Sequence, residues 1–321
     1  MGRVVVNGAL APASVARLQQ EHDVDWWDSD EPIDRQDLLH RVAGAEALVT
    51  IATCRVDDEL LDAAGPTLRV SANVAVGYDN VDVAACRARG VVATNTPGVL
   101  TDATADIALA LILMTTRRLG EAERLVRSGT PWRFGMGFML GTGVQGRRLG
   151  IVGLGGIGAA TAHRARALGM EIAYHNRHRA DPELERSLGG AQLLDLDELL
   201  ATSDVLSLHC PATPQTRHLI GAGQLAAMKD TAHLVNTARG PIVDEAALVD
   251  ALRTRTIAGA GLDVYEHEPQ VHPGLLELDT VVLLPHLGSA TVEARTAMAE
   301  LAVDNALAVL AGREPLTPVT G

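Results

Sequence analysis

Three polar residues follow apolar runs in the second half of the chain. Arg239 comes after Leu234-Val235-Asn236-Thr237-Ala238, Glu268 lies in Asp263-Val264-Tyr265-Glu266-His267-Glu268-Pro269, and His286 follows Val281-Val282-Leu283-Leu284-Pro285. Reduction of a keto acid needs these three types. A guanidinium binds the carboxylate and polarises the neighbouring carbonyl through its fixed fork of donors. An imidazole supplies a proton near neutral pH, and a carboxylate beside it orients the ring and favours its protonated form. Taken singly, each has a plain structural use: a strand-end cap, a solvated turn acid before proline, a core histidine. Their common place outside the strand ends of a nucleotide-binding sheet is what joins them into one set. His209, His218 and His233 come with no comparable partners and read as structural.

A second constellation lies upstream. Leu149 to Val152 runs into Gly153-Leu154-Gly155-Gly156-Ile157-Gly158 and then an alanine-rich segment of helical period, which puts GxGxxG between a strand and a helix. Gly153 permits the tight turn, Gly155 lets the backbone approach a pyrophosphate, and Gly158 allows close helix packing. The helix N-terminus favours the negative charge. The next strand, Met170 to Tyr174, leads into His175-Asn176-Arg177-His178-Arg179. NAD enzymes usually carry an acid at this strand end to bind the ribose 2′-hydroxyl. Asn176 stands there instead; it can donate a hydrogen bond to a 2′-phosphate, and Arg177 or Arg179 can pair with one bidentately. NADP(H) is therefore favoured, with NAD(H) left open.

The elements that must position these residues are short Val/Ile/Leu runs alternating with Ala/Leu/Arg-rich segments. That is the pattern of parallel strands covered by helices on both faces. The class is α/β, with strands expected near 3–7, 23–27, 47–50, 68–72 and 91–93, then near 148–152, 170–174, 204–208, 232–236, 257–262 and 280–284. Two sheets follow, in two domains. A long helix is expected over Thr101 to Arg118, with Asp102 near its start and Arg117-Arg118 at its end, and it reads as a packing element. Residues 128–146, glycine-rich and carrying Trp132, Phe134 and Phe138, read as an irregular exposed segment that offers a partner surface. A last helix near 290–311 follows the second sheet, which predicts that it packs back on the first domain and makes that domain discontinuous.

Composition sets the limits. A net charge of −13 with no basic stripe argues against nucleic-acid binding. The apolar run from Ile107 to Met114 falls far short of the ~20 residues that span a bilayer, and MGRVVVNGAL has no secretory signal pattern. The expected location is the cytoplasm, without a membrane partner. Cys54, Cys86 and Cys210 show no metal-ligand spacing and are expected to be reduced, so no metal site is expected. Lys229 is the one lysine, which sets aside Schiff-base chemistry.

Six ordered blocks resemble the D-isomer-specific 2-hydroxyacid dehydrogenase family over nearly the whole chain: NVAVGYDNVD (73–82), NTPGVLTDATAD (95–106), GIVGLGGIG (150–158), NTARGPIVDEAAL (236–248), AGLDVYEHEP (260–269) and PHLGSAT (285–291). The resemblance implies two Rossmann-like domains. A substrate domain would comprise 1–99 and 289–321, with a dinucleotide domain at 100–288 between them. It also implies that Arg239 binds the substrate carboxylate and carbonyl, that His286 is the acid/base paired with Glu268, and that main-chain N–H groups at Val76 and Gly77 take the carboxylate. On the cofactor side it implicates Gly155, Gly156 and Ile157 at the pyrophosphate and Asn176 and Arg177 at the adenosine. Along the nucleotide it implicates His209, Cys210, Pro211 and Thr216, and near the nicotinamide Thr237, Ala238, Asp263, His286 and Gly288.

Within that family the chain looks most like the glyoxylate/hydroxypyruvate reductase branch. Long phosphoglycerate dehydrogenases carry a further C-terminal domain, whereas ten residues follow Ala311 here. The resemblance also implies a homodimer. Residues 133–144 are glycine-rich where relatives often carry a second tryptophan, and Trp132 is the candidate to reach a partner's site. Alternatives remain: an NAD-dependent enzyme acting on another 2-keto acid or of the D-3-phosphoglycerate type, formate or phosphite chemistry on the same scaffold, or a dinucleotide-sensing corepressor without turnover.

Overall fold

Residues 1–320 are described by the structure, a computed structural model. The first strands are β1 (Arg3–Asn7), β2 (Asp23–Trp27), β3 (Ala47–Ile51), β4 (Val70–Val74) and β5 (Val92–Thr94). They form one parallel sheet in the order β2-β1-β3-β4-β5. The second series is β6 (Arg148–Val152), β7 (Glu171–His175), β8 (Gln192–Leu193), β9 (Val205–Leu208), β10 (His233–Asn236), β11 (Gly259–Leu262) and β12 (Val281–Leu283). These pair in parallel in the order β12-β11-β10-β9-β6-β7-β8, a doubly wound sheet whose strand order reverses between β6 and β9.

The chain divides into two compact units. One comprises Met1–Leu100 with the segment beginning at Ala290, and the other Thr101–Ser289. The boundaries fall one residue later than the sequence places them. Leu100 is buried at the end of the first stretch, and Ser289 follows Gly288, which is tied into the second unit through Asp263.

In the second unit, neighbouring strand residues serve opposite faces. Val152, Leu206, Leu208, Leu234 and Leu262 pack in one core, and Ile151, Val205, Val235 and Val282 in the other. Burial on both faces is why these strands read as unbroken apolar runs. The Thr101–Thr116 helix lies directly on β11. A Cβ at Gly261 would meet Leu111 Cβ and Thr115 Cγ2 at 3.0 Å, so β11 needs small residues. This helix is shorter than expected. Arg118 turns into left-handed backbone at φ 56°, and Thr142 N donates to the Thr116 carbonyl at 2.7 Å, which closes the helix end. In the first unit, the Val292–Leu310 helix buries Ala299, Ala302 and Ala306, small residues that let it lie close. No helix among the described residues is long and apolar enough to cross a membrane.

Candidate active site

Strand register brings the candidate residues to one edge. Leu208, Asn236, Leu262 and Leu283 are level in their ladders, so the segments after β9, β10, β11 and β12 all leave the carboxyl edge of the same sheet. Arg239 stands three residues beyond β10, Asp263 opens the loop after β11, and His286 lies three residues beyond β12. The glycine loop leaves β6 at the same edge, because Val152 pairs with Leu208 and with His175. Ligands of open α/β sheets bind there.

His286 Nδ1 lies 2.7 Å from Glu268 Oε2, and Tyr265 N donates to the other Glu268 oxygen at 2.9 Å. Burial alone would push the Glu268 carboxyl up. The His286 hydrogen bond, the Tyr265 N–H and the charges of His286 and Arg239 outweigh it and hold the group below the usual carboxylate range. An ionised Glu268 can only accept, so Nδ1 carries a proton and Nε2 is the ring nitrogen left for chemistry. His286 adopts φ 57°, an uncommon conformation for a residue with a side chain. The turn is held by Asp263, whose two oxygens accept from Leu287 N at 2.7 Å and Gly288 N at 2.8 Å. Asp263 is fully buried, and burial raises its pKa against those two N–H groups.

Arg239 is half-buried and sits on an asparagine-built turn. Asn236 Oδ1 accepts from Ala238 N at 3.0 Å, Asn236 Nδ2 donates to the Arg239 carbonyl at 2.9 Å, and Arg239 Nη1 donates to the Ala238 carbonyl at 2.8 Å. Asn236 and Tyr265 are supports that the sequence reading missed. Tyr265 OH donates to the Leu284 carbonyl at 2.8 Å and so anchors the segment entering His286. An amide at a strand end, three residues before an arginine, was the available signal for Asn236.

In the glycine loop the three motif positions differ in kind. Gly153 has φ 98°, and a Cβ there would come within 2.7 Å of Cys210 N. A Cβ at Gly158 would meet the Gly153 carbonyl at 2.4 Å, whereas one at Gly155 would meet nothing within 4 Å. Gly155 caps the Gly156–Ala167 helix, and no side chain or first-turn acid covers that N-terminus. A phosphate-bearing nucleotide suits this edge, because it has open space over Gly155 and a helix end without a competing anion. Thr237 Oγ1 is buried and without a hydrogen-bond partner among the described residues, next to Ala238 on the same edge.

Two of the cofactor candidates are engaged otherwise than expected. Asn176 Oδ1 accepts from Leu154 N at 2.7 Å, with Nδ2 3.5 Å from the Leu154 carbonyl, so this side chain clamps the glycine loop. Arg179 forks onto Glu185, with contacts of 2.8, 3.0 and 3.2 Å, and Tyr174 OH shares that carboxylate. In this structure the Arg179 fork is therefore engaged by a buried carboxylate. Arg177 is exposed at the end of β7. His209 Nε2 is 2.9 Å from Ser207 Oγ, and burial pushes its pKa down to about 4, so the ring is neutral. Thr216 Oγ1 donates to the Pro211 carbonyl at 2.7 Å, shaping the loop after Cys210, whose thiol burial pushes up to about 11.

Val76 and Gly77 lie in the other compact unit, in the turn after β4, where side chains of Asn95 and Asn73 take their carbonyls. The cysteines are free thiols, and no group of three or more His, Cys, Asp or Glu among the described residues could hold a metal ion. The cavity of about 690 Å³ lined by Thr116, Arg118, His233 and Arg253 contains none of the candidate residues.

Against known proteins, the family described as "D-isomer specific 2-hydroxyacid dehydrogenase, NAD binding domain" matches residues 109–288. The chain is 48% identical to the glyoxylate reductase of Thermococcus onnurineus, covering 99% of this chain and 95% of that protein. A crystal structure of a protein from Thermus thermophilus superposes with a TM-score of 0.92 at 44% identity, over 99% of this chain and 100% of that one. The NADPH-dependent glyoxylate/hydroxypyruvate reductase of Sinorhizobium meliloti, solved with NADP and malonate, gives a TM-score of 0.85 at 37% identity, over 99% and 97%.

Proposed function

Because the chain belongs to the D-isomer specific 2-hydroxyacid dehydrogenase family and is an NAD(P)-dependent oxidoreductase, we propose that it reduces a small 2-keto acid of the glyoxylate or hydroxypyruvate type to the D-2-hydroxy acid with NADPH. The observation that carries this reading is the His286–Glu268 pair on the sheet edge that also carries Arg239 and the glycine loop. The relatives named glyoxylate reductase point to the same substrates.

In this reading Arg239 binds the carboxylate and draws electron density from the keto oxygen. His286 Nε2–H faces that oxygen and releases its proton as the alkoxide forms, while Glu268 stabilises the imidazolium beforehand. The bound dinucleotide supplies the hydride. Gly155, Gly156 and Ile157 hold its pyrophosphate at the helix N-terminus, His209 to Pro211 and Thr216 line the nucleotide, and Thr237, Ala238, Asp263 and Gly288 shape the nicotinamide end. The Val76–Gly77 turn takes the carboxylate through backbone N–H groups. Arg177 binds the 2′-phosphate of NADPH, and the absence of a carboxylate in Asn176's place removes the repulsion an NAD-specific site would exert. Asn176 acts one step back, by fixing the loop at Leu154. Two copies assemble through the exposed 128–146 segment, with Trp132 extending toward the partner.

The test follows nicotinamide absorbance with glyoxylate, hydroxypyruvate, pyruvate and a branched keto acid, each with NADPH and NADH. NADPH oxidation with the two smallest acids is expected, and His286→Ala is expected to lower kcat roughly a hundred- to ten-thousandfold with little change in NADPH affinity. Near-normal turnover by His286→Ala sinks the mechanism. A preference for NADH sinks the Arg177 reading and leaves the enzyme.

A further inference from the structure

After β4 ends at Val74, the chain turns through Ala75, Val76 and Gly77, and two asparagines hold that turn by its carbonyls. Asn95 Nδ2 donates to the Val76 oxygen at 2.8 Å, and Asn73 Nδ2 to the Gly77 oxygen at 2.9 Å. In a trans peptide the C=O and the following N–H point in opposite directions. Fixing the Val76 carbonyl toward Asn95 therefore turns the Gly77 N–H away from Asn95, and Asn73 does the same for the Tyr78 N–H. Asn73 is fully buried and locked in a reciprocal pair with Asn80 at 3.1 and 3.2 Å.

Asn95 is secured by residues far along the chain. Its backbone N donates to the Thr317 carbonyl at 3.3 Å, and Thr317 Oγ1 donates to the Asn95 carbonyl at 2.6 Å. Thr317 is fixed in turn by Asn305, a fully buried amide on the Val292–Leu310 helix. Asn305 Nδ2 donates to Thr317 Oγ1 at 2.8 Å and to the Leu301 carbonyl at 2.9 Å, and Asn305 Oδ1 accepts from Leu316 N and Thr317 N at 2.9 and 3.0 Å. Val319 N donates to the Ala93 carbonyl at 2.9 Å, so residues 316–319 run along β5. A buried amide costs free energy unless its bonds are met, and three of these four converge on Thr317 and its neighbour Leu316.

We infer that residues 316–319 brace the substrate loop: Asn305 fixes Thr317, Thr317 fixes Asn95, and Asn95 aims the Gly77 N–H by holding the Val76 carbonyl. These are positioning residues, and the inference rests on the reading that the Val76–Gly77 turn takes the substrate carboxylate. Disturbing the brace should weaken the grip on the keto acid and leave the dinucleotide site, on the other unit, untouched.

The experiment uses the full chain with glyoxylate and NADPH and reads KM, kcat and, by fluorescence, the Kd of NADPH. Thr317→Val keeps the shape and removes the donor, Asn95→Ala removes the amide, and Thr317→Ser keeps the hydroxyl. The first two should raise KM roughly five- to tenfold with an unchanged NADPH Kd, and Thr317→Ser should restore the parent KM. A parent KM in both Thr317→Val and Asn95→Ala, whatever happens to the melting temperature, overturns the brace. Gly77→Pro, which removes the N–H itself, separates the two ideas. A raised KM there beside a normal Thr317→Val refutes the brace alone, whereas a parent KM in Gly77→Pro refutes the loop reading and the brace with it.

Discussion

Glu268 remains ionised through neutral pH because its pairing with His286, with the Tyr265 N–H and with nearby Arg239 overcomes its burial. Its Oε2 lies 2.7 Å from His286 Nδ1, and this hydrogen bond fixes the orientation of the ring. In the proposed reduction His286 gives up a proton with Glu268 beside it; Glu268→Gln removes the charge but keeps the shape, and kcat should fall roughly tenfold or more with little change in NADPH affinity. Steady-state kinetics with glyoxylate and NADPH check this, and a parental kcat in the variant would falsify the coupling. At this scale the residue types and their places after strands were enough to single out Arg239, Glu268 and His286, which the folded sheet brings to one edge. The partners that Asn176 and Arg179 have within the chain were not legible in the same way. What they do depends on Leu154 and on the buried Glu185, and no local spacing announces those contacts.

For the glycine loop, element geometry decides. Gly153 combines φ 98° with a Cys210 backbone too near for any Cβ, so it is the joint where β6 passes β9 into the helix. Gly153→Ala should cost at least about 1–3 kcal/mol and weaken dinucleotide binding as well. Denaturant titration and nucleotide titration measure the two effects, and an alanine variant with parental stability would refute the close approach. Most strands could be read from their apolar runs, since burial on both faces leaves little room for polar residues. β8 was missed because Gln192 and Leu193 are exposed and too short to show a pattern. The end of the Thr101–Thr116 helix was placed two residues late, because the Thr142 N–H that closes it comes from a segment with no pattern of its own.

On the scale of the whole molecule, one short segment carries a run of exposed apolar residues. Trp132, Phe134, Met136 and Leu140 are all exposed, Phe134 and Met136 by 85% and 88%, and the Trp132 and Phe138 rings stack at 6.0 Å. Exposed aromatics suit the subunit interface proposed above, in a chain with a net charge of −13. Replacing Phe134 and Met136 with serine should lower the sedimenting mass toward that of one chain at micromolar concentration, and a parental mass in the double variant would remove the segment from the assembly.

The division of the chain also orders events in time. Every strand of the Thr101–Ser289 unit comes from one uninterrupted stretch, whereas the first sheet lacks the Val292–Leu310 helix until that whole stretch has been made. As the chain leaves the ribosome, the second unit can close its core at once. The first must hold five strands with part of their apolar surface uncovered until that helix arrives, so the unit that begins first is the one that finishes last.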